Sequence, residues 1–434
     1  MSSNASQIVD AGDLPIPFSI SPTRIFLLCV ALAYLLISVA CVRAEPTIPG
    51  TLLFDGEYLA EVRTGKYSQD AEISRALNEL RKRADQALKH EPQSVTYQSE
   101  LAASGDPHDY VSFASYWWPN PDTADGLPYV RRDGQANEKL ISQGDRELLN
   151  QMHADVMSLA VAGYLLDEPR YSERATKLLR VFFLDPKTRM NPNLRHSQLI
   201  RGVNTGRSFG IIDTEVLVWT LEGVRILEFS DSLDATELAG LRHWFTNYLN
   251  WLHHDPFCAP EQRARNNHGT FYDFQVAGFA LFIGDHALAK QVLEGAKQTR
   301  IAGQVEPDGR QPLEIGRTNG FGYSCGNLHG LCTLARLGEA CDVDLWHYES
   351  PRGGSIVKAY NFLLPYLTTD MHWPWQQQSP MSPTRWLEPE SSPCYWLNQR
   401  FPGRNYLAPV TLAAQQGKHV NLACLVYAQR ASKE

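Results

Sequence analysis

Two short stretches of this chain bring together side chains suited to proton chemistry at carbon. The first is Arg265-Asn266-Asn267-His268. The second, further along, runs Arg310-Gln-Pro-Leu-Glu314-Ile-Gly-Arg317-Thr-Asn-Gly-Phe-Gly-Tyr323. Between them they offer an amide, an imidazole, a guanidinium and a phenol. That set suits removal of a weakly acidic carbon proton next to a carboxylate, where fixed donors meet the developing charge and a positioned base takes the proton. Each member also has a plainer role open to it. Asn-Asn-His could be a helix cap beside a satisfied core histidine. Glu314 and Arg317, three apart, could form an ion pair on one helical turn. Tyr323 could be a half-buried, hydrogen-bonded phenol. Basic Arg263 and Arg265 precede the first stretch, and Tyr272 and Asp273 follow within about one turn, where they could orient the imidazole.

Aromatic and basic residues gather in two long loops. The first contains Tyr116-Trp117-Trp118-Pro119, then Tyr129, Arg131 and Arg132. Flat rings ahead of a proline suit the C–H faces of sugars, and arginine suits bidentate contact with carboxylates. The second loop carries Arg195, Arg201 and Arg207. Arg310 and Glu314 join the expected substrate-binding set. So does Trp373, as one wall of a groove, with core packing as its other reading. Long loops of this composition are usually functional.

The elements that must position these residues are helical. Residues 72–90 place Ile73, Ala76, Leu77, Leu80, Ala84 and Leu88 at helical spacing. Asp234 with Glu237 reads as a capping box opening a helix whose stripe is Leu238, Leu241, Phe245, Tyr248 and Leu252. Similar periodicity marks 146–166, 170–184, 213–229, 271–284, 286–300, 326–339, 354–368 and 408–428. No run alternates with period two between hairpin turns. The expectation is an all-α chain without a fixed sequence repeat, which disfavours a helical-repeat array. A single (α/α) toroid, an incomplete barrel of antiparallel helix hairpins with long loops at one mouth, suits it better.

Residues 25–40 read IFLLCVALAYLLISVA, with Arg24 before them and Val42-Arg43-Ala44 after. This suits a secretory signal or a retained anchor, so residues 1–44 are set apart from a domain at 45–434. Either reading places that domain outside the cytoplasm, secreted or held at the cell surface, with the membrane a partner only if the segment is retained. The net charge of -8 argues against a nucleic-acid partner and requires local arginines to draw in a polyanion. Beyond the apolar segment lie Cys258, Cys325, Cys332, Cys341, Cys394 and Cys424. An even number in an exported domain permits disulfides. They form no CxxC, and no metal box, P-loop or nucleotide fingerprint occurs, so neither metal nor cofactor is expected. A monomer is expected.

The YWWPNP…GLPYVRRDG loop, the NNH and the DGxQPLExxRTxxxxY segment, in that order, resemble the alginate-lyase-like superfamily of polysaccharide lyases. The likeness is nearest to the branch acting on glucuronan or alginate and spans residues 50–400. The resemblance implies an (α/α) toroid, an acidic polysaccharide substrate and metal-independent β-elimination. It places catalytic roles on Asn267, His268, Arg317 and Tyr323. Asn267 and Arg317 would receive the uronate carboxylate. His268 or Tyr323 would take the C5 proton, and Tyr323 could both take that proton and protonate O4, provided cationic neighbours lower its pKa from about 10. Two other readings remain at this point. One is a toroidal glycoside hydrolase pairing Asp213 or Glu215 with Glu314. The other is an acidic-glycan-binding protein without catalysis.

Overall fold

The computed structural model describes residues 48–98, 100–415 and 419–429. The apolar segment at 25–40 and its cleavage candidate lie outside the described residues. From Ile48 on, the described chain forms one compact unit.

Helices of eleven residues or more are α1 (Ala71–Ala87), α2 (Arg146–Leu166), α3 (Pro169–Leu179), α4 (Val216–Phe229), α5 (Ala235–His254), α6 (Asn267–Ile283), α7 (His286–Ala296), α8 (Gly320–Glu339) and α9 (Ile356–Thr368). Local chemistry sets their ends. The Asp70 side chain accepts the amides of Glu72 and Ile73 to start α1, which buries Ile73, Ala76, Leu80 and Ala84 on one stripe. The capping box of Asp234 and Glu237 opens α5 as the sequence implies. α6 ends at Gly284, whose φ of 86° suits a residue without Cβ. α3 and α7 each run on into a π-helical turn, Arg180–Leu184 and Lys297–Ile301. Those turns explain why the apolar periodicity extends to 184 and 300.

Packing follows the order of the hairpins. α1 lies on α2, α2 against α3 and α4, α6 against α4, α5, α7 and α8, and α8 against α9. α6 is buried on nearly every face, so it is a core helix of the (α/α) toroid and not an amphipathic cover. The expected helix at 408–428 is a different structure. The described helix there covers Ala408–Gln415, and residues 419–429 hold a 3₁₀ turn at Ala423–Leu425, with Leu422 to Tyr427 tucked into the core. The six cysteines are unpaired, and all but half-buried Cys325 are buried. They serve as small core residues, and the disulfides that their even number permits are not formed among the described residues.

The two long loops hold short strands that period-two reading could not detect. β1 (Val111–Phe113) pairs in parallel with β4 (His196–Leu199), joining one loop to the other. β2 (Trp117–Trp118) and β3 (Val130–Arg131) form an antiparallel hairpin. Buried Asp213 stands beneath this junction. It accepts Tyr110 Oη at 3.2 Å, Ser112 Oγ at 2.6 Å and Gln198 Nε2 at 3.1 Å, with Arg146 Nε 3.7 Å away. One carboxylate thus fixes both loops against the helices, a fully partnered buried charge.

Candidate active site

α6 begins at Asn267, so Asn266 is the residue outside the helix and His268 lies in its first turn. The backbone amide of Asn267 donates to Glu314 Oε1 at 2.6 Å. Its side-chain amide is buried, and among the described residues the carbonyl oxygen takes no hydrogen bond. A buried polar group without a protein partner is rare and suits a group completed by a ligand. His268 Nδ1 lies 2.6 Å from Glu261 Oε1, and Phe209 meets the ring edge-on with centroids 5.2 Å apart. With Nδ1 bound to a carboxylate, Nε2 is the nitrogen left to exchange a proton. The orienting group is therefore Glu261, and not Tyr272 or Asp273 as sequence spacing suggests.

Tyr272 turns away, its hydroxyl donating to Leu252 O at 2.7 Å. Asp273 acts at one remove. It holds Arg300 through bonds of 2.6 and 2.9 Å, and Arg300 in turn donates to Ala264 O and Gln262 O at 2.7 and 2.8 Å. The π turn at Lys297–Ile301 carries Arg300 inward to do this. Gly269 makes room, because a Cβ there would lie 2.1 Å from Ala264 O and 2.2 Å from Arg300 Nη1. This staple holds the segment bearing Glu261 against the helix bearing His268.

A buried belt of amides links α6 to the second stretch. Gln304 donates to Asn266 O and accepts from Thr270 Oγ1 and Asn327 Nδ2. Asn327 also reaches Gln311, which donates to Ser324 O on α8. Beyond this belt Arg317 precedes α8 and Tyr323 lies in its first turn. Arg317 Nη2 donates to Tyr323 Oη at 2.9 Å and to Asp133 Oδ1 at 3.2 Å, with its guanidinium carbon 4.0 Å from the Tyr323 ring centre. Tyr116 Oη lies 2.9 Å from Tyr323 Oη. The ion pair of Glu314 with Arg317 is not the arrangement found. Glu314 is fully buried under Asn267, where it feels the charges of both His268 and Arg317. The bond from the Asn267 amide to Glu314 ties the two stretches together. Burial still leaves the Glu314 carboxyl raised to about 7.

The electrostatics overturn one expectation. The Tyr323 phenol is raised well above the ordinary value, first by burial and then by its bond with Tyr116; nearby Arg317 pulls the other way and loses. The phenol is therefore protonated at neutral pH. Asp133 is lowered, because Arg317 and Arg131 together outweigh its burial.

The expected binding residues divide. Trp117 and Trp118 are half-buried on the hairpin, and Arg132 packs over Trp118 at 5.5 Å. Arg131 pairs with Asp133 at 2.5 Å. Arg207 donates to Gln198 Oε1 at 2.8 Å and covers Phe209 at 5.2 Å, beside the His268 ring. Others are held in contacts within the protein. Glu314 is buried and accepts the Asn267 backbone amide. Trp373 is 3% exposed, packed among Phe321, Phe362, Tyr366 and Trp375, so it is core and not a groove wall. Tyr129 packs on a small cluster with Val111, Phe113 and Leu140. Arg195 pairs with Asp255, and Arg310 with its own Asp308 on an exposed turn. Asp213, offered for hydrolysis, is the buried hub of the loops. Sequence reading missed Glu261, Asp133 and Phe209. Asp133 lies inside a noted motif, yet nothing local shows that its partner is Arg317.

The alginate lyase family model matches residues 94–373. The crystal structure of an alginate lyase from Bacteroides ovatus superposes with a TM-score of 0.79 at 34% identity, covering 88% of this chain and 100% of that one. A tyrosine-to-phenylalanine variant of alginate lyase A1-III, an enzyme of Sphingomonas species A1, was solved with a tetrasaccharide. It matches with a TM-score of 0.53 at 13% identity, over 83% of this chain and 91% of that one, a likeness of fold. No curated protein sequence matches.

Proposed function

Because this chain belongs to the alginate lyase family and is a polysaccharide lyase, we propose that it cleaves 4-linked polyuronates, glucuronan or mannuronate-rich alginate, by metal-independent syn β-elimination. The observation that carries this reading is the junction at Glu314, where the Asn267 amide beside His268 bonds the stretch that leads into the Arg317–Tyr323 pair. The Asn267 side-chain NH₂ and the Arg317 guanidinium donate to the uronate carboxylate and stabilise the charge that builds on it. Each such donor is typically worth about 3–4 kcal/mol. His268, held by Glu261, takes the C5 proton through Nε2. The C5–H electron pair passes into the carboxylate-conjugated system and then forms the C4–C5 double bond as the C4–O4 bond breaks. Tyr323, protonated at neutral pH, delivers its proton to O4, and the proton on His268 afterwards restores the phenol. In β-mannuronate and β-glucuronate H5 and O4 lie on one side, so both groups work from one face.

The hydrolase reading loses support, since Asp213 and Glu314 are buried in structural contacts. Purified enzyme is incubated with glucuronan, polymannuronate and polyguluronate, with and without chelator, and the ultraviolet absorbance of the unsaturated uronate is followed. Product on a β-linked uronate in chelator is expected, with His268→Ala and Tyr323→Phe each losing at least about 10²-fold in rate. Saturated products, binding without cleavage, or near-native activity in both variants would refute the proposal. The same reading takes residues 25–43 as an export segment, which N-terminal sequencing of the secreted product tests.

A further inference from the structure

We infer that Asp133 is a positioning residue for this reaction, its carboxylate seating the β2–β3 hairpin on Arg317 so that Tyr116 lands on Tyr323. The inference rests on the lyase reading above and adds a residue to it. Asp133 follows β3 closely and uses both oxygens. Oδ1 accepts Arg131 Nη2 at 2.5 Å from within the hairpin and Arg317 Nη2 at 3.2 Å from outside it. Oδ2 accepts Thr318 Oγ1 at 3.2 Å. The next residue, Gly134, has φ 74°, and a Cβ there would lie 2.4 Å from Gln378 Oε1 and 2.5 Å from Thr318 Oγ1. The backbone is therefore seated hard against the approach to α8. Across the hairpin, the Arg132 amide donates to Tyr116 O at 2.8 Å. The contacts close a circuit: Tyr116 to Tyr323, Tyr323 to Arg317, Arg317 to Asp133, and back through Arg132 to Tyr116.

The charges permit substrate to enter this circuit. Arg131 and Arg317 bring two positive charges and Asp133 one negative, which leaves one positive charge for a uronate carboxylate. Asp133 stays paired with Arg131 and Thr318 if Arg317 turns toward substrate. Its side chain is 28% exposed and that of Arg317 22%, so both charges are only partly screened.

The test uses the full chain carrying Asp133→Asn, which keeps the shape and removes the charge. A charge-assisted bond at a partly exposed site predicts a fall in kcat of about tenfold with KM nearly constant. Tyr116→Phe combined with Asp133→Asn should cost little more than the worse single change, because both break one circuit. Hydrogen–deuterium exchange of the segment 117–131 should quicken while α6 is unchanged. Should Asp133→Asn misfold, Thr318→Val removes one partner of the same carboxylate and should move kcat and exchange in the same direction by less. A lower KM with kcat retained would make Asp133 a competitor for the arginine and overturn the inference. So would fully multiplicative losses in the double variant, or unchanged exchange. Wild-type enzyme that forms no unsaturated product defeats the lyase reading instead, and the exchange data still decide whether Asp133 seats the hairpin.

Discussion

Glu261→Gln isolates the group that holds His268. Glu261 is 0% exposed, and its Oε1 lies 2.6 Å from His268 Nδ1, while Oε2 has no hydrogen-bond partner among the described residues. During proton abstraction the imidazole becomes a cation beside this buried carboxylate. At 2.6 Å and an effective dielectric near 20, two unit charges attract by about 6 kcal/mol. Much of that offsets the cost of burying the carboxylate, so a net loss of about 1.5–3 kcal/mol is the better figure for a hydrogen bond to a charged group. This corresponds to a fall of roughly 10- to 150-fold in kcat, at about 1.4 kcal/mol per tenfold. The amide could also turn its NH₂ toward Nδ1 and force the other tautomer, with Nε2 protonated and useless as a base. In the serine-protease triad the analogous acid-to-amide change costs about 10⁴ by that route, which sets the upper limit. KM should move little, since His268 is not assigned to carboxylate binding. Initial rates of unsaturated-product formation on polymannuronate give both constants, and circular dichroism checks the fold. If Glu261→Gln keeps kcat within about twofold of wild type while His268→Ala is inactive, the orienting role is wrong.

Tyr116→Phe removes one of the two polar partners of the Tyr323 hydroxyl and leaves Arg317. A loss of about tenfold in kcat is expected from one hydroxyl bond, and a loss equal to that of Tyr323→Phe would move the proton-transfer role to Tyr116. Asp145 offers a stability test. Burial raises its carboxyl from 3.8 to about 7, despite the Val111 amide donating to it at 2.7 Å. A carboxyl raised on folding contributes stability that is complete below pH 3.8 and disappears as pH rises through about 7. Asp145→Asn keeps the acceptor and removes this dependence. The unfolding free energy measured from pH 4 to 8 should therefore fall less steeply with rising pH in the variant, the difference amounting to at most about 4 kcal/mol. An identical slope in both proteins would show that Asp145 does not titrate in this window.

Apolar spacing and caps make the helices legible in the sequence. The span 146–166 coincides with α2, and the Asp234–Glu237 box opens α5. These signals are local, arising from side chains three or four residues apart on one face. The chemical types at the site were legible for the same reason, since Asn267, His268, Arg317 and Tyr323 lie in two short stretches. The strands in the loops were hidden because two to four residues cannot display alternation. Their pairing depends on a partner far along the chain, as Val111 with His196.

The sequence by itself determined a mainly helical chain, the places where several of its helices start, and the two segments that hold an imidazole, an amide, a guanidinium and a phenol. Only the tertiary structure decided which partner each of those groups has and what charge state follows. Glu261 reaches His268 across a turn, Asp133 reaches Arg317 across 184 positions, and burial keeps the Tyr323 phenol protonated where nearby arginine alone suggested the reverse. The physical reason is one of range. Helix formation reads neighbours three or four residues apart, whereas desolvation and ion pairing depend on whatever the folded chain brings within a few ångströms.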